Sequence, residues 1–173
     1  MAAKYVLEDD CLSPDRTLRI DYKGPNPFKF YSQIVMLLKD VLEIRSMNIW
    51  QREFRWDFTG DPVKFFYRVV AQKPYDAWTK AYIELTFQGT HPSDSAKNGE
   101  MVIFITPKLR TEMPQSTVWQ RSQIYRGLRW FYFRTFYNDA RRILIGKCIH
   151  ATERINDRLK TVLGIQPPKE MES

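Results

Sequence analysis

The chain is poor in the residues from which most catalytic and metal sites are built. It holds 2 His and 2 Cys in 173 residues. His91 falls in a turn-forming stretch, His150 lies on the polar side of a helical pattern, and neither has a second His or Cys at ligand spacing. Cys148 and His150 are two apart in that pattern and point roughly 200° away from each other, which excludes a nucleophile and base pair. Cys11 and Cys148 lie far apart, and Cys148 sits among apolar helix positions where a thiol acts as a small hydrophobe, so no disulfide framework is expected. Glycine is equally sparse: Gly24, Gly60, Gly89, Gly99, Gly127, Gly146 and Gly164 occur singly, which leaves neither a phosphate loop nor a dinucleotide fingerprint. No window approaches the roughly 18 uninterrupted apolar residues of a membrane span. The start Met1-Ala2-Ala3-Lys4 lacks the apolar region of a secretory signal. The carboxylates that lie close in sequence, Asp9 with Asp10 and Glu53 with Asp57 and Asp61, read as exposed charges, because acid and base work needs a shared cleft. The sequence thus nominates no catalytic residue, metal ligand or cofactor, and the expectation is a soluble, cytoplasmic, non-catalytic protein.

What is present is enough to bury a core. With 43% hydrophobic and 14% aromatic residues, the chain reads as a single domain over 1–173, with flexible ends at 1–15 and 165–173. Its dominant pattern is an apolar stripe, Trp130, Phe133, Tyr137, Ala140, Leu144, Cys148, Ala151, Ile155, Leu159 and Val162, recurring every three or four residues. That spacing predicts one long helix with a continuous face laid on something apolar, most simply a sheet built by the preceding chain.

The earlier segments supply such a sheet. Residues 16–23 alternate with Leu18 and Ile20 on one side and suit a first strand, after a polar lead containing Glu8, Asp9 and Asp10. Asn26 followed by Pro27 offers a cap and a first helical position, and Phe28, Tyr31, Ile34, Val35, Leu38, Val41 and Leu42 carry helical spacing to about Ile44. Over 46–58 the period changes to two, with Trp50, Phe54, Trp56 and Phe58 on one side and Gln51, Glu53, Arg55 and Asp57 on the other. Residues 63–72 and 78–88 read as a hairpin around Lys73-Pro74-Tyr75-Asp76, although 61–66 could instead open a short helix. In the second arm Ala81, Ile83, Leu85 and Phe87 alternate with Lys80, Tyr82, Glu84 and Thr86. A loop follows over 91–99 and a strand over 101–113, which Pro114 stops; Ser116 or Thr117 would then cap the final helix. The fold class is therefore α+β, a curved antiparallel sheet of five strands packed on a long C-terminal helix, with a helix after the first strand.

Charge is uneven along this layout. Residues 118–173 hold 11 Lys/Arg against 5 Asp/Glu, so nearly all of the net +7 belongs to the final helical region. Such asymmetry suits an anionic partner, whether nucleic acid, phospholipid surface or acidic protein, and suits a solvated helix face equally. At the start of that helix Arg126, Arg129 and Arg134 interleave with Trp130, Phe131, Tyr132, Phe133, Phe136 and Tyr137, more aromatics than one face can hold. Burial under the protein's own loops, a homodimer contact through Phe131, Tyr132 and Phe136, a lining for an apolar ligand, and stacking against bases all compete to explain them. Arg141 and Arg142 extend the basic surface, but nothing in the pattern supports sequence-specific nucleic-acid readout.

The order of strand, helix 27–43, strands around 50–58, 78–88 and 101–113, and terminal helix stripe resembles the START-like helix-grip superfamily over about 16–163. The resemblance is one of layout. It implies that Trp50, Phe54, Trp56, Ile83, Leu85, Phe87, Trp130, Phe133 and Tyr137 enclose either a solid core or a pocket for an apolar or amphipathic molecule between sheet and C-terminal helix. The leading expectation is accordingly a binding protein for a hydrophobic or amphipathic small molecule. The second is an adaptor binding RNA or another polyanion through Arg126, Arg129, Arg134, Arg141 and Arg142.

Overall fold

The computed structural model describes residues 3–94, 96–115, 122–135 and 137–165. Six antiparallel strands form one curved sheet: β1 (Ala3–Asp10), β2 (Leu18–Gly24), β3 (Ile49–Asp57), β4 (Val63–Pro74), β5 (Thr79–His91) and β6 (Gly99–Gln115). The spatial order is β1-β6-β5-β4-β3, and β2 lies beyond β1 on the same edge of β6. The α+β layout read from the sequence is the one observed.

β6 is the spine. One edge pairs with β5 from Glu100 to Thr111, while the other takes β1 over 108–115 and β2 over 99–105. Pro107 falls in the gap between those two partners, where its missing N–H leaves no ladder bond unmade. Its carbonyl still accepts from the Cys11 N–H at 3.3 Å. At Gly89, opposite Met101, an added Cβ would collide with the Glu100 carbonyl and the Met101 backbone, so only glycine lets these strands close.

Two helices pack on one face. α1 (Ile34–Leu42) buries Ile34, Leu37, Leu38, Val41 and Leu42, and α3 (Tyr137–Leu163) buries Cys148, Ala151, Thr152, Ile155, Leu159 and Leu163. They meet Tyr67, Val69, Ile83, Leu85, Phe87, Ile103 and Ile105 from alternate strand positions in one core. α3 runs unbroken through Gly146.

Several local expectations are corrected. The polar lead holds β1, because Tyr5, Leu7 and Asp9 turn toward the helices as partners of Met113, Thr111 and Leu109. The helix expected from Pro27 divides into a 3-10 turn, Pro27–Ser32, and α1, and Asn26 makes no side-chain cap bond. The tighter turn aligns side chains three apart, and Phe28 and Tyr31 stack with centroids 4.8 Å apart. Residues 63–66 belong to β4 rather than a helix, and β6 continues through Pro114, which pairs with Lys4.

The terminal helical region is described in two stretches on either side of residue 136, α2 (Gln123–Thr135) and α3. Tyr137 donates to or accepts from Thr79 Oγ1 at 2.8 Å, and Thr79 is the first residue of β5 and the partner of Thr111. Beyond that pair the sheet narrows to β1 and β6, so the stripe upstream of Tyr137 has little left to rest on.

The cysteines are also corrected: Cys11 and Cys148 form a disulfide across 137 residues. Cys148 is buried on the α3 stripe as its spacing requires, and Cys11 follows β1 toward the same face. Periodicity placed one thiol but could not reveal that the chain brings back the other.

Candidate binding surface

The residues expected around an apolar ligand do not form one site. Leu85 and Phe87 are fully buried, and Phe87 stacks on Phe30 with centroids 3.9 Å apart and the rings nearly parallel. Trp56 packs against Phe28 and Phe65, and Phe54 against Tyr67 and Tyr31 at the rim. Large rings fill the space between sheet and helices here rather than line it.

Trp50 lies on the other side of the sheet. The β3–β4 register shifts between Gln51 and Glu53, so Phe54 and Trp56 oppose the buried Tyr67 and Phe65, whereas Trp50 opposes Val70. A bulge at Arg52 adds one residue and inverts the alternation. Pure period-two reading could not see it. Phe58 lies past the end of β3 and is exposed.

Tyr67 carries the strongest electrostatic perturbation of this region. Its hydroxyl is buried without a hydrogen-bond partner among the described residues, and burial, reinforced by nearby Tyr31, pushes its pKa up to about 12.

The basic residues separate by role. Arg141 holds Asp9 through Nε and Nη2, and that hydrogen bonding raises the guanidinium pKa further. Arg129 lies over the Tyr5 ring at 4.1 Å and also faces Tyr125 at 5.8 Å, and Arg134 covers Trp130 at 5.2 Å. Arg126 and Arg142 are exposed. Two of the five arginines thus bind the protein's own β1, and Tyr137 is likewise engaged by buried Thr79.

What the structure does bring together is α2. At 100° per residue Ile124, Leu128, Phe131 and Tyr132 share one side, while Arg126, Arg129, Trp130 and Arg134 share the other. Contact between Arg129 and Tyr5 turns the edge that carries Tyr125 and Arg129 toward the body and leaves Arg126, Trp130 and Arg134 exposed. The apolar side therefore faces solvent: Ile124 is 66% exposed, Leu128 59%, Phe131 56% and Tyr132 53%. Trp130 is also exposed, at 62%, so the expectation that it rests on the sheet is corrected. Phe136 and the side chain of Phe133 lie outside the described residues. No Asp or Glu occurs between Glu112 and Asp139 to offset the arginines. Ile124, Leu128, Phe131 and Tyr132 thus form a contiguous apolar face turned to water on a basic helix.

Among the described residues no group of His, Cys, Asp and Glu is arranged to hold a metal ion, and no helix is long and apolar enough to cross a membrane. No family model matches the chain, and no curated protein matches it.

Proposed function

We propose that this is a non-catalytic binding protein that docks on an anionic lipid surface through α2. One observation carries the reading: Ile124, Leu128 and Phe131 face solvent on a helix whose opposite side is arginine-rich. Aliphatic side chains gain free energy in the acyl boundary of a bilayer, while Arg126 and Arg134 reach anionic headgroups and Trp130 and Tyr132 suit the interface between them. In place of the small molecule that the sequence predicts between sheet and C-terminal helix, the ligand is a lipid surface met by the outer side of α2.

The competing occupants fit less well. Bases stack on π-faces, which Ile124 and Leu128 do not offer, so RNA gains little from this side of the helix. A second copy laid apolar side on apolar side would leave Arg126 and Arg134 without a partner, because the segment offers no carboxylate. Location follows the partner rather than the cytoplasmic expectation: disulfides such as Cys11–Cys148 are rare in the cytosol outside hyperthermophiles and persist in oxidising compartments.

The test is co-sedimentation with vesicles of phosphatidylcholine alone and with added phosphatidylglycerol, using the wild type, Leu128→Glu and Phe131→Glu. Binding only to the anionic vesicles, weakened by salt and abolished by either charge, is the expected result. Absence of binding at low salt overturns the proposal, as does a stable dimer in analytical ultracentrifugation that Phe131→Glu dissolves, or RNA binding lost in the same variants.

A further inference from the structure

The sheet face opposite α1 and α3 holds a basin of about 500 Å³ that the sequence reading did not anticipate. It is lined across five strands by Arg52, Arg68, Lys108, Arg110, Glu8 and Glu84, with the Tyr82 and Thr106 hydroxyls between them. The volume falls within the range of small-molecule sites.

Its charges are unevenly satisfied. Glu84 Oε1 is 3.9 Å from Arg68 Nε, too far for a hydrogen bond, and that Nε is buried with no hydrogen-bond partner among the described residues. Arg110 is shared between Glu8 at 3.7 Å and Glu112 at 2.9 Å. The Arg52 and Lys108 side chains make no ion pair or hydrogen bond among the described residues. Four cations against the two lining carboxylates and Glu112 beside Arg110 leave the basin electropositive, and a buried guanidinium N–H without an acceptor is costly unless something supplies one. Arg52 reaches the basin through the β3 bulge: the extra residue between Gln51 and Glu53 aims its side chain at this face.

We propose that this basin binds a small soluble phosphorylated polyol, such as a sugar phosphate. The phosphate meets Arg52 and Lys108 and accepts from Arg68 Nε. Glu8 and Glu84 exclude a bare, fully anionic ligand but accept hydrogen bonds from ligand hydroxyls, which Tyr82 and Thr106 also engage. The site is independent of lipid docking by α2, because it draws on β1, β3, β4, β5 and β6 alone.

Isothermal titration calorimetry of the intact oxidised protein with ribose 5-phosphate, ribose and inorganic phosphate tests it, alongside Arg52→Ala and Lys108→Ala. Both substituted side chains are solvent-facing, so a thermal melt of each variant within a few degrees of wild type shows that it still folds. Binding of ribose 5-phosphate at least tenfold tighter than of either fragment, weakened at least tenfold by each substitution, is expected. No binding of ribose 5-phosphate overturns the proposal, and affinity unchanged in both variants does the same. Equal affinity for inorganic phosphate removes the polyol. If the two substitutions instead abolish vesicle binding, the phosphate belongs to a lipid headgroup and the soluble ligand is overturned. Leu128→Glu, which tests docking, should leave ribose 5-phosphate binding unchanged.

Discussion

Arg141 and Asp9 form a two-pronged ion pair between α3 and β1, with the Asp9 carboxylate largely buried behind it. Together with Arg129 on Tyr5 and the Cys11–Cys148 disulfide, the pair fastens the helical region along one edge strand at three places. These ties hold α2 and the first half of α3 to β1, while Ala151, Ile155, Leu159 and Leu163 anchor the second half in the core.

Arg141→Met should therefore leave Asp9 charged and poorly solvated. Hydrogen bonds to charged groups contribute about 1.5–3 kcal/mol, so urea denaturation should register a loss of about 2 kcal/mol. A loss below about 0.5 kcal/mol would class the pair with ordinary surface salt bridges.

The disulfide closes a long loop. In the chain-entropy account, cross-linking 137 residues restricts the unfolded chain by about 5 kcal/mol, and typical measured effects are about 2–4 kcal/mol. Reduction, or Cys148→Ser, should lower the denaturation midpoint accordingly. Two thiols titrating in the denatured but unreduced protein would show that the bond does not form.

Tyr67 gives a pH signature. In the unfolded chain a phenol loses its proton near pH 10, whereas in the fold Tyr67 keeps it to about 12. Between those values the native state holds a proton that the unfolded state has released. The stability this provides is complete below pH 10 and is lost as pH rises toward 12. Tyr67→Phe should flatten that part of the stability profile. Near neutral pH it should be neutral or stabilising by up to about 1 kcal/mol, since it removes a buried hydroxyl with no partner. A clear destabilisation at pH 7 would mean that the hydroxyl has a partner after all.

Gly89→Ala should cost about 2–3 kcal/mol, because the atoms its methyl group meets are the backbone of β6 and cannot rotate away. Thermal unfolding reads this directly. A Tm within a degree or two of wild type would show that β5 and β6 can separate at that point.

Arg126→Gln combined with Arg134→Gln should weaken binding to anionic vesicles roughly 30-fold, taking about 1 kcal/mol for each cationic side chain near the surface. The salt dependence should shrink with it. Unchanged affinity would leave α2 acting through its apolar side alone.

The sequence by itself determined the elements whose signal is local. Alternation from Ala81 to Phe87 marked a half-buried strand, and the spacing of Cys148, Ala151, Ile155 and Leu159 marked the buried side of α3, because side-chain direction in regular structure depends only on position along the chain. Tertiary structure decided the rest. The β3 bulge turned Trp50 away from Trp56 and brought Arg52 to the basin, since strand register is a property of two segments rather than one. Cys11 found Cys148 only through the path of β1. The narrowing of the sheet beyond Thr79 and Thr111 left the apolar side of α2 in water: periodicity shows that a helix has an oily side, but only the layer beneath it decides how far that side is covered.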